Sequence, residues 1–274
     1  FMKPFCFAKN EIIDSKIAQI HPMDISLIRG YGIFDFFRTS NYIPMFLSDY
    51  LDRFIRSAEK THLTLKFTKS ELKDIILELI QKNDLRDGGI RMLLTGGVSE
   101  NHFSPAEGEL FIFCEELLFP GKEKYENGVK LLSAEHVRMI ADIKTTNYAY
   151  PVWLSPSWKD AGAEDVIYHF NGVVSESSRS NIFMVKNGEI STPNNHILHG
   201  ITRKRVLELA PECKIRSISF EELLDADELF ITSTTKKILP ITTIDDQKIG
   251  DGKVGEITKK LMAEFVEMEK KHTS

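Results

Sequence analysis

The chain has 274 residues, 42% hydrophobic and 27% charged, with a formal net charge of −5 and a pI near 6.0. This is the composition of a folded globular protein of one large domain or two smaller ones, and its acidic balance argues against nucleic acid as a main partner, since phosphate-backbone binding needs a basic face. No apolar run reaches the roughly 18 residues of a membrane span.

The opening, FMKPFCFAKNEII, lacks an apolar targeting core followed by small residues. Cys6, Cys114 and Cys213 are odd in number and far apart, with no CxxC. Reduced thiols in a cytoplasmic protein are therefore expected. Strand-like stretches at 33–38 and 44–47 lead into a helix over 49–63, where Leu51, Phe54, Ile55 and Ala58 share one face. Ser70 is a good N-cap for a second helix, in which Leu72, Ile75, Ile76, Leu79 and Ile80 repeat at three and four. Strands at 90–94 and 110–114 flank GGVSENHFSPAEGE, a connector longer than a hairpin needs and of the length that often carries function. Residues 117–127, LLFPGKEKYEN, read as a linker between a small domain at 1–116 and a larger one at 128–274. In the second domain strands are expected at 129–133, 166–169, 181–185, 215–218, 229–232 and 238–244, and helices at 151–161, 202–209 and 254–270. The class is α+β, or mixed α/β, in two domains.

Three pieces of the second half carry chemistry. Lys144 lies in DIKTTNY, where an apolar stretch turns polar. A free lysine amine is almost fully protonated at neutral pH and attacks an aldehyde poorly, and desolvation or a neighbouring cation raises its nucleophilicity. Glu176 stands in GVVSESSRSNIFMV, between apolar strands and beside Ser175, Ser177 and Ser178. Burying that carboxylate without a partner is costly, and a protonated pyridine nitrogen is such a partner. Gly200-Ile201-Thr202 precedes a helical pattern, so backbone N–H groups point at an anion such as phosphate. Amine, carboxylate and phosphate donors are the groups that pyridoxal phosphate requires. The polar run from Thr232 to Thr235 ends a strand and offers further phosphate donors, and Arg53 on the polar side of the first helix offers a charged one. His196 and His199 form an HxxH pair with no third ligand at a recognised spacing, so no metal is expected. Gly30-x-Gly32 and Gly250-Asp251-Gly252 lack the strand–turn–helix setting of a dinucleotide site.

Taken in order, RGYGIFDFFR, YLDRFIRSA, DIKTTN, VVSESSRSNIF, ILHGITR and ITSTT closely resemble the fold-type IV pyridoxal-phosphate enzymes, the class IV aminotransferases. That family holds D-amino-acid aminotransferases, branched-chain aminotransferases and aminodeoxychorismate lyases. The resemblance implies a homodimer, each active site lying between two domains and completed by a loop of the neighbouring subunit. It further implies Lys144 as the Schiff-base lysine and Glu176 as partner of the pyridine nitrogen. Arg53, Ile201, Thr202 and Thr234 become the phosphate cup, with Ser177 and Ser233 as outer contacts. The expected reaction is ping-pong transfer of an amino group from an amino acid to a 2-oxo acid. Asn147 follows Lys144 by three residues, as in the D-amino-acid enzymes and the lyases, and RGYGIFDFFR departs from the branched-chain pattern. A D-amino-acid donor is therefore preferred; the alternatives are a branched-chain L-amino-acid donor, the lyase reaction, or a non-catalytic relative. The loop GVSENH lacks the Arg-x-His pair that holds the substrate carboxylate in bacillus-type D-amino-acid enzymes. Arg29 and Arg91 are the candidate replacements, with Tyr31 and Tyr148 adding hydroxyls toward substrate and cofactor.

Overall fold

The computed structural model describes residues 1–273. They form a six-stranded sheet and a nine-stranded sheet, confirming the mixed α/β class. The chain divides into two compact units: Phe1–Leu118 with Ile143–Tyr148, His272 and Thr273, and Phe119–Asp142 with Ala149–Lys271.

The first unit contains β1 (Met2–Ala8), β2 (Glu11–Asp14), β3 (Ile33–Ser40), β4 (Ile43–Pro44), β5 (Gly88–Leu94) and β6 (Leu110–Glu115), ordered β2-β1-β6-β5-β3-β4. Its helices are α1 (Ile25–Ile28), α2 (Leu47–Lys60) and α3 (Lys69–Lys82). β3 is aromatic and β-branched, buried on both faces over most of its length, and antiparallel to β5 from Ile33↔Leu94 to Thr39↔Gly88. Tyr50, Leu51, Phe54 and Ala58 are the buried stripe of α2, and Leu72, Ile76, Leu79 and Ile80 that of α3. Two boundaries differ from expectation. The predicted strand at 44–47 stops at Pro44, because Phe46 turns into the left-handed region and Leu47 opens α2. α3 is capped by Thr68 rather than Ser70: the Thr68 side chain accepts from Glu71 N, and the Glu71 carboxylate accepts from Thr68 N.

The second unit contains β7 (Val129–Glu135), β8 (Asp165–Phe170), β9 (Val173–Ser177), β10 (Asn181–Lys186), β11 (Glu189–Pro193), β12 (Lys214–Arg216), β13 (Glu228–Ser233), β14 (Lys237–Ile244) and β15 (Gln247–Lys248). The order is β12-β11-β10-β13-β14-β7-β8-β9, with β15 paired to β14. α4 (Lys122–Asn127), α5 (Ala149–Asp160), α6 (Ile201–Leu209), α7 (Phe220–Leu224) and α8 (Glu256–His272) accompany it. Strand alternation supplies two cores. Ile182, Met184, Leu229 and Ile231 join one face, while Phe183, Val185 and Phe230 pack on the other with Val206, Leu261 and Phe265 of α6 and α8. Phe183 and Phe230 are register partners and stack with centroids 4.9 Å apart. The expected strand at 215–218 is β12, which ends at Arg216, and α4 lies within the stretch read as linker.

The segment bearing Lys144 groups with the first unit, whereas the sequence reading placed it in the second. Its backbone explains this. Phe34 N donates to Lys144 O at 2.9 Å, Thr146 N donates to Gly32 O at 2.9 Å, and Ile33 bridges Thr145. No helix among the described residues is long and apolar enough to cross a membrane.

Candidate functional site

The first unit gathers Lys144, Tyr148 and Arg91 around one aromatic ring. Lys144 Nζ lies 4.6 Å from the centroid of Phe34 and donates to Tyr148 Oη at 3.4 Å. Tyr148 meets Phe34 edge-on at 5.6 Å. The strap of backbone bonds around Lys144 fixes the root of this half-buried side chain, leaving the amine as its polar tip. Arg91 lies 5.5 Å from the Phe34 centroid and 4.9 Å from that of Phe36. Its fork closes on Glu115, Nη2 at 2.8 Å and Nε at 3.3 Å, so two of its donors are spent within the unit.

The other first-unit candidates are engaged elsewhere. Arg53 is buried and bidentate on Asp35, Nη2 to Oδ1 at 2.6 Å and Nε to Oδ2 at 2.8 Å. Burial works against its charge, but the Asp35 carboxylate more than offsets it and holds the Arg53 pKa above its ordinary value. Tyr31 Oη donates to Thr61 O at 2.8 Å. Arg29 is largely solvated and donates from Nε to His102 O at 3.2 Å, which ties it to the long loop between β5 and β6.

The second unit builds a separate cluster on Glu176. β9 buries four consecutive residues, Val174 to Ser177, and Glu176 is only 3% exposed. Its Oε1 accepts from Arg138 Nε at 2.8 Å, and its Oε2 accepts from Leu198 N at 2.9 Å and Asn181 Nδ2 at 3.3 Å. This answers the desolvation cost that a buried carboxylate in a serine-rich strand poses. Arg138 also donates to Ala141 O, close to Ile140, which adopts φ 54°, an outlier for a β-branched residue. Arg138 and Asn181 were missed from sequence. Arg138 stands just upstream of Lys144 in VRMIADIK, and Asn181 closes the SSRSN turn after Glu176.

Gly200 is the N-cap of α6 and brings no side-chain cap to the backbone donors of Ile201 and Thr202. A Cβ at Gly200 would stand 2.2 Å from Asn181 Oδ1, so any other residue there must displace the buried Asn181 side chain. Gly200→Ala is therefore expected to push the Asn181 amide off Glu176, costing about 1–3 kcal/mol of stability. Thermal melting with and without added pyridoxal phosphate checks this, and an unchanged melt in both conditions would refute it.

Whether this unit suits a phosphate-bearing cofactor is tested by its unsatisfied groups. Ser177 Oγ, Ser180 Oγ and Thr232 Oγ1 are buried with no hydrogen-bond partner in the protein, and Thr232 is the register partner of Asn181. Buried hydroxyls are rarely left this way, and together with the uncapped start of α6 they leave the second unit with unspent donors of the kind an anionic ligand takes. Ser233 Oγ accepts from Lys236 N at 3.2 Å, which shapes the turn carrying Thr234. Among the described residues, no cluster of three or more His, Cys, Asp or Glu is arranged to hold a metal ion, and His196 and His199 add none.

Comparison with known proteins matches residues 32–244 to the family model described as amino-transferase class IV. A putative branched-chain-amino-acid aminotransferase of Methanocaldococcus jannaschii is 33% identical, over 97% of this chain and 96% of that protein. A D-alanine aminotransferase of Staphylococcus haemolyticus is 32% identical, over 94% of this chain and 95% of that protein. Among solved structures, a branched-chain amino acid aminotransferase with pyridoxamine 5′-phosphate superposes with a TM-score of 0.90 at 24% identity, covering 97% of this chain and 93% of that one. The Escherichia coli branched-chain amino acid aminotransferase superposes with a TM-score of 0.89, also at 24% identity, covering 97% of this chain and 95% of that one. Both likenesses are of fold.

Proposed function

We infer this protein's reaction from one premise: the chain belongs to the amino-transferase class IV family and is a pyridoxal-phosphate-dependent aminotransferase of that class. The observation that carries the division of labour is the pair of prepared groups, an amine set on an aromatic face at Lys144 and a buried, thrice-bonded carboxylate at Glu176. When bound, pyridoxal phosphate supplies an electron sink for the carbanion at the substrate α-carbon. Lys144 is the attachment residue, and once released its Nζ carries the proton away from the substrate α-carbon. The Tyr148 hydroxyl, in reach of that amine, orients it. Glu176 would pair with the ring nitrogen, its carboxylate held in place by Arg138, Asn181 and the Leu198 amide. The Ile201 and Thr202 amides with Ser177, Ser233 and Thr234 would hold the phosphate, whereas the charge of Arg53 is answered by Asp35.

The donor is a D-amino acid such as D-alanine or D-glutamate, with 2-oxoglutarate or pyruvate as acceptor. The Staphylococcus relative and the three-residue spacing from Lys144 to Asn147 support this reading. Transfer from a branched-chain L-amino acid is the second reading, favoured by the archaeal relative. Arg29, tethered to the loop after β5, is the stronger candidate for gripping a substrate carboxylate, since the Arg91 fork is closed on Glu115. A homodimer in the cytoplasm completes the proposal. Exposed Ile20, Met23, Leu27, Val98 and Phe103 support the dimer, because Ile25 N bonds Gly97 O and Arg29 bonds His102 O, drawing their two segments together. Three unpaired cysteines support the reducing compartment. A panel of amino donors in both enantiomers is the test. D-alanine with 2-oxoglutarate should yield D-glutamate, with a preference over L-alanine of at least about 100-fold. Activity confined to L-leucine and L-valine would overturn the D-amino-acid reading.

A further inference from the structure

Asp165 opens β8 and is completely buried, yet it belongs to none of the groups assigned above. It is a hub for three segments of the second unit. Its Oδ1 accepts from its neighbour Val166 N at 2.8 Å and from the Ser178 hydroxyl. Its Oδ2 receives Lys236 Nζ at 3.4 Å and Arg179 Nη2 at 3.4 Å. Ser178 and Arg179 belong to the turn that follows Glu176 and Ser177; Lys236 ends the turn that carries Ser233 and Thr234, and its own amide donates to Ser233 Oγ. One carboxylate therefore ties together two turns that are far apart in sequence.

The energetics say why such a hub is more than filler. Lys236 is 4% exposed, so its ammonium sits out of water with Asp165 as its counter-ion. Burial pulls its pKa below the usual lysine range, and Asp165 opposes that pull. A buried ion pair of this kind adds little net stability over an apolar pair of similar volume. What it provides is definition: a fixed distance between segments that lack apolar packing of their own. Ser178, Ser180, Ser233 and Thr234 are small and polar and cannot lock a turn by volume.

We propose that Asp165 and Lys236 are positioning residues that set the β9–β10 turn and the β13–β14 turn in one arrangement and thereby align their hydroxyl and amide donors for the phosphate of a pyridoxal-type ligand. This rests on the phosphate cup proposed above. It adds that the cup's geometry is held from behind by a buried charge pair that itself touches no ligand.

The test compares pyridoxal 5′-phosphate with pyridoxal, which lacks the phosphate, by equilibrium titration of the purified protein and by melting of the ligand-free protein. Wild type should prefer the phosphorylated form. Asp165→Asn, which leaves Lys236 buried without its anion, should cut that preference by about tenfold, while affinity for pyridoxal stays within about twofold. Lys236→Met should act in the same direction, Lys236→Arg should restore part of the loss, and Asp165→Asn/Lys236→Met should melt higher than Asp165→Asn alone, since removing both partners relieves the orphaned charge. If the variants melt lower but keep the full preference for phosphate, the pair is only structural and the inference is overturned. Should wild type itself show no preference for phosphate, the proposed cup fails and this inference falls with it.

Discussion

Replacing Lys144 with alanine is expected to reduce transamination by at least about 10⁴-fold, because in the proposed reaction one amine both attaches the cofactor and moves the substrate proton. The rest of the fold should tolerate the change. Lys144 is half-buried, its side-chain hydrogen bond is a single one of 3.4 Å to Tyr148, and the strap around it is held by backbone groups that alanine retains. The expected signature is thus a protein that melts near the wild-type temperature, still binds pyridoxal phosphate non-covalently, and shows no lysine-bound chromophore after borohydride treatment and peptide mapping. Turnover within about tenfold of wild type would remove Lys144 from the chemistry and send the search to another amine.

Glu176→Gln should behave in the opposite manner, costing stability as well as rate. Glutamine keeps the volume but withdraws the charge from a site where Arg138, with a side chain 11% exposed, has its Nε on that carboxylate at 2.8 Å. Leaving a nearly buried guanidinium without its anion should destabilise the protein by about 3 kcal/mol, a fall in melting temperature of about 6–12 °C for a chain of this size. The rate should fall by about 10²–10³-fold, the scale seen when a preorganised electrostatic partner is removed. Combining Glu176→Gln with Arg138→Met should recover part of the melting temperature and none of the rate. That split separates the structural ion pair from the functional carboxylate. A double variant that regained activity would show that Glu176 serves only to neutralise Arg138.

Lys144, Glu176 and Gly200 stand out in the sequence as candidates because each is a residue type out of keeping with its surroundings: an amine at an apolar-to-polar edge, a carboxylate between apolar strands, a glycine opening a helix. Asp35 in the run IFDFF carries the same signal, and its buried pairing with Arg53 is the kind of partner such a residue demands. Arg138, Asp165 and Lys236 were not legible. Their partners lie across strands or in another turn, fixed by register rather than by local spacing, and a lone arginine or lysine in a mixed segment looks like any solvated one. Helix faces were readable from periodicity, whereas the ends of α2 and α3 shifted because a left-handed Phe46 and the reciprocal Thr68–Glu71 bonds decide where those helices start. The position of Lys144 was the larger surprise, since order along the chain suggested one unit and backbone bonding assigned the other.

That last feature bears on how the protein is made. The residues that receive the strap, Gly30 to Phe34, precede it by more than a hundred positions; the Thr146 hydroxyl reaches Gly30 O across 116. During synthesis they emerge from the ribosome first, and at about 5–20 residues per second the template has several seconds to form before Lys144 appears. The strap then docks onto an edge already in place, and the entropy of closing so long a loop is met by a waiting partner rather than by a search between two disordered segments. Vectorial synthesis therefore suits this topology, and refolding from denaturant, where both segments start disordered, should gain a competent amine more slowly than it gains secondary structure.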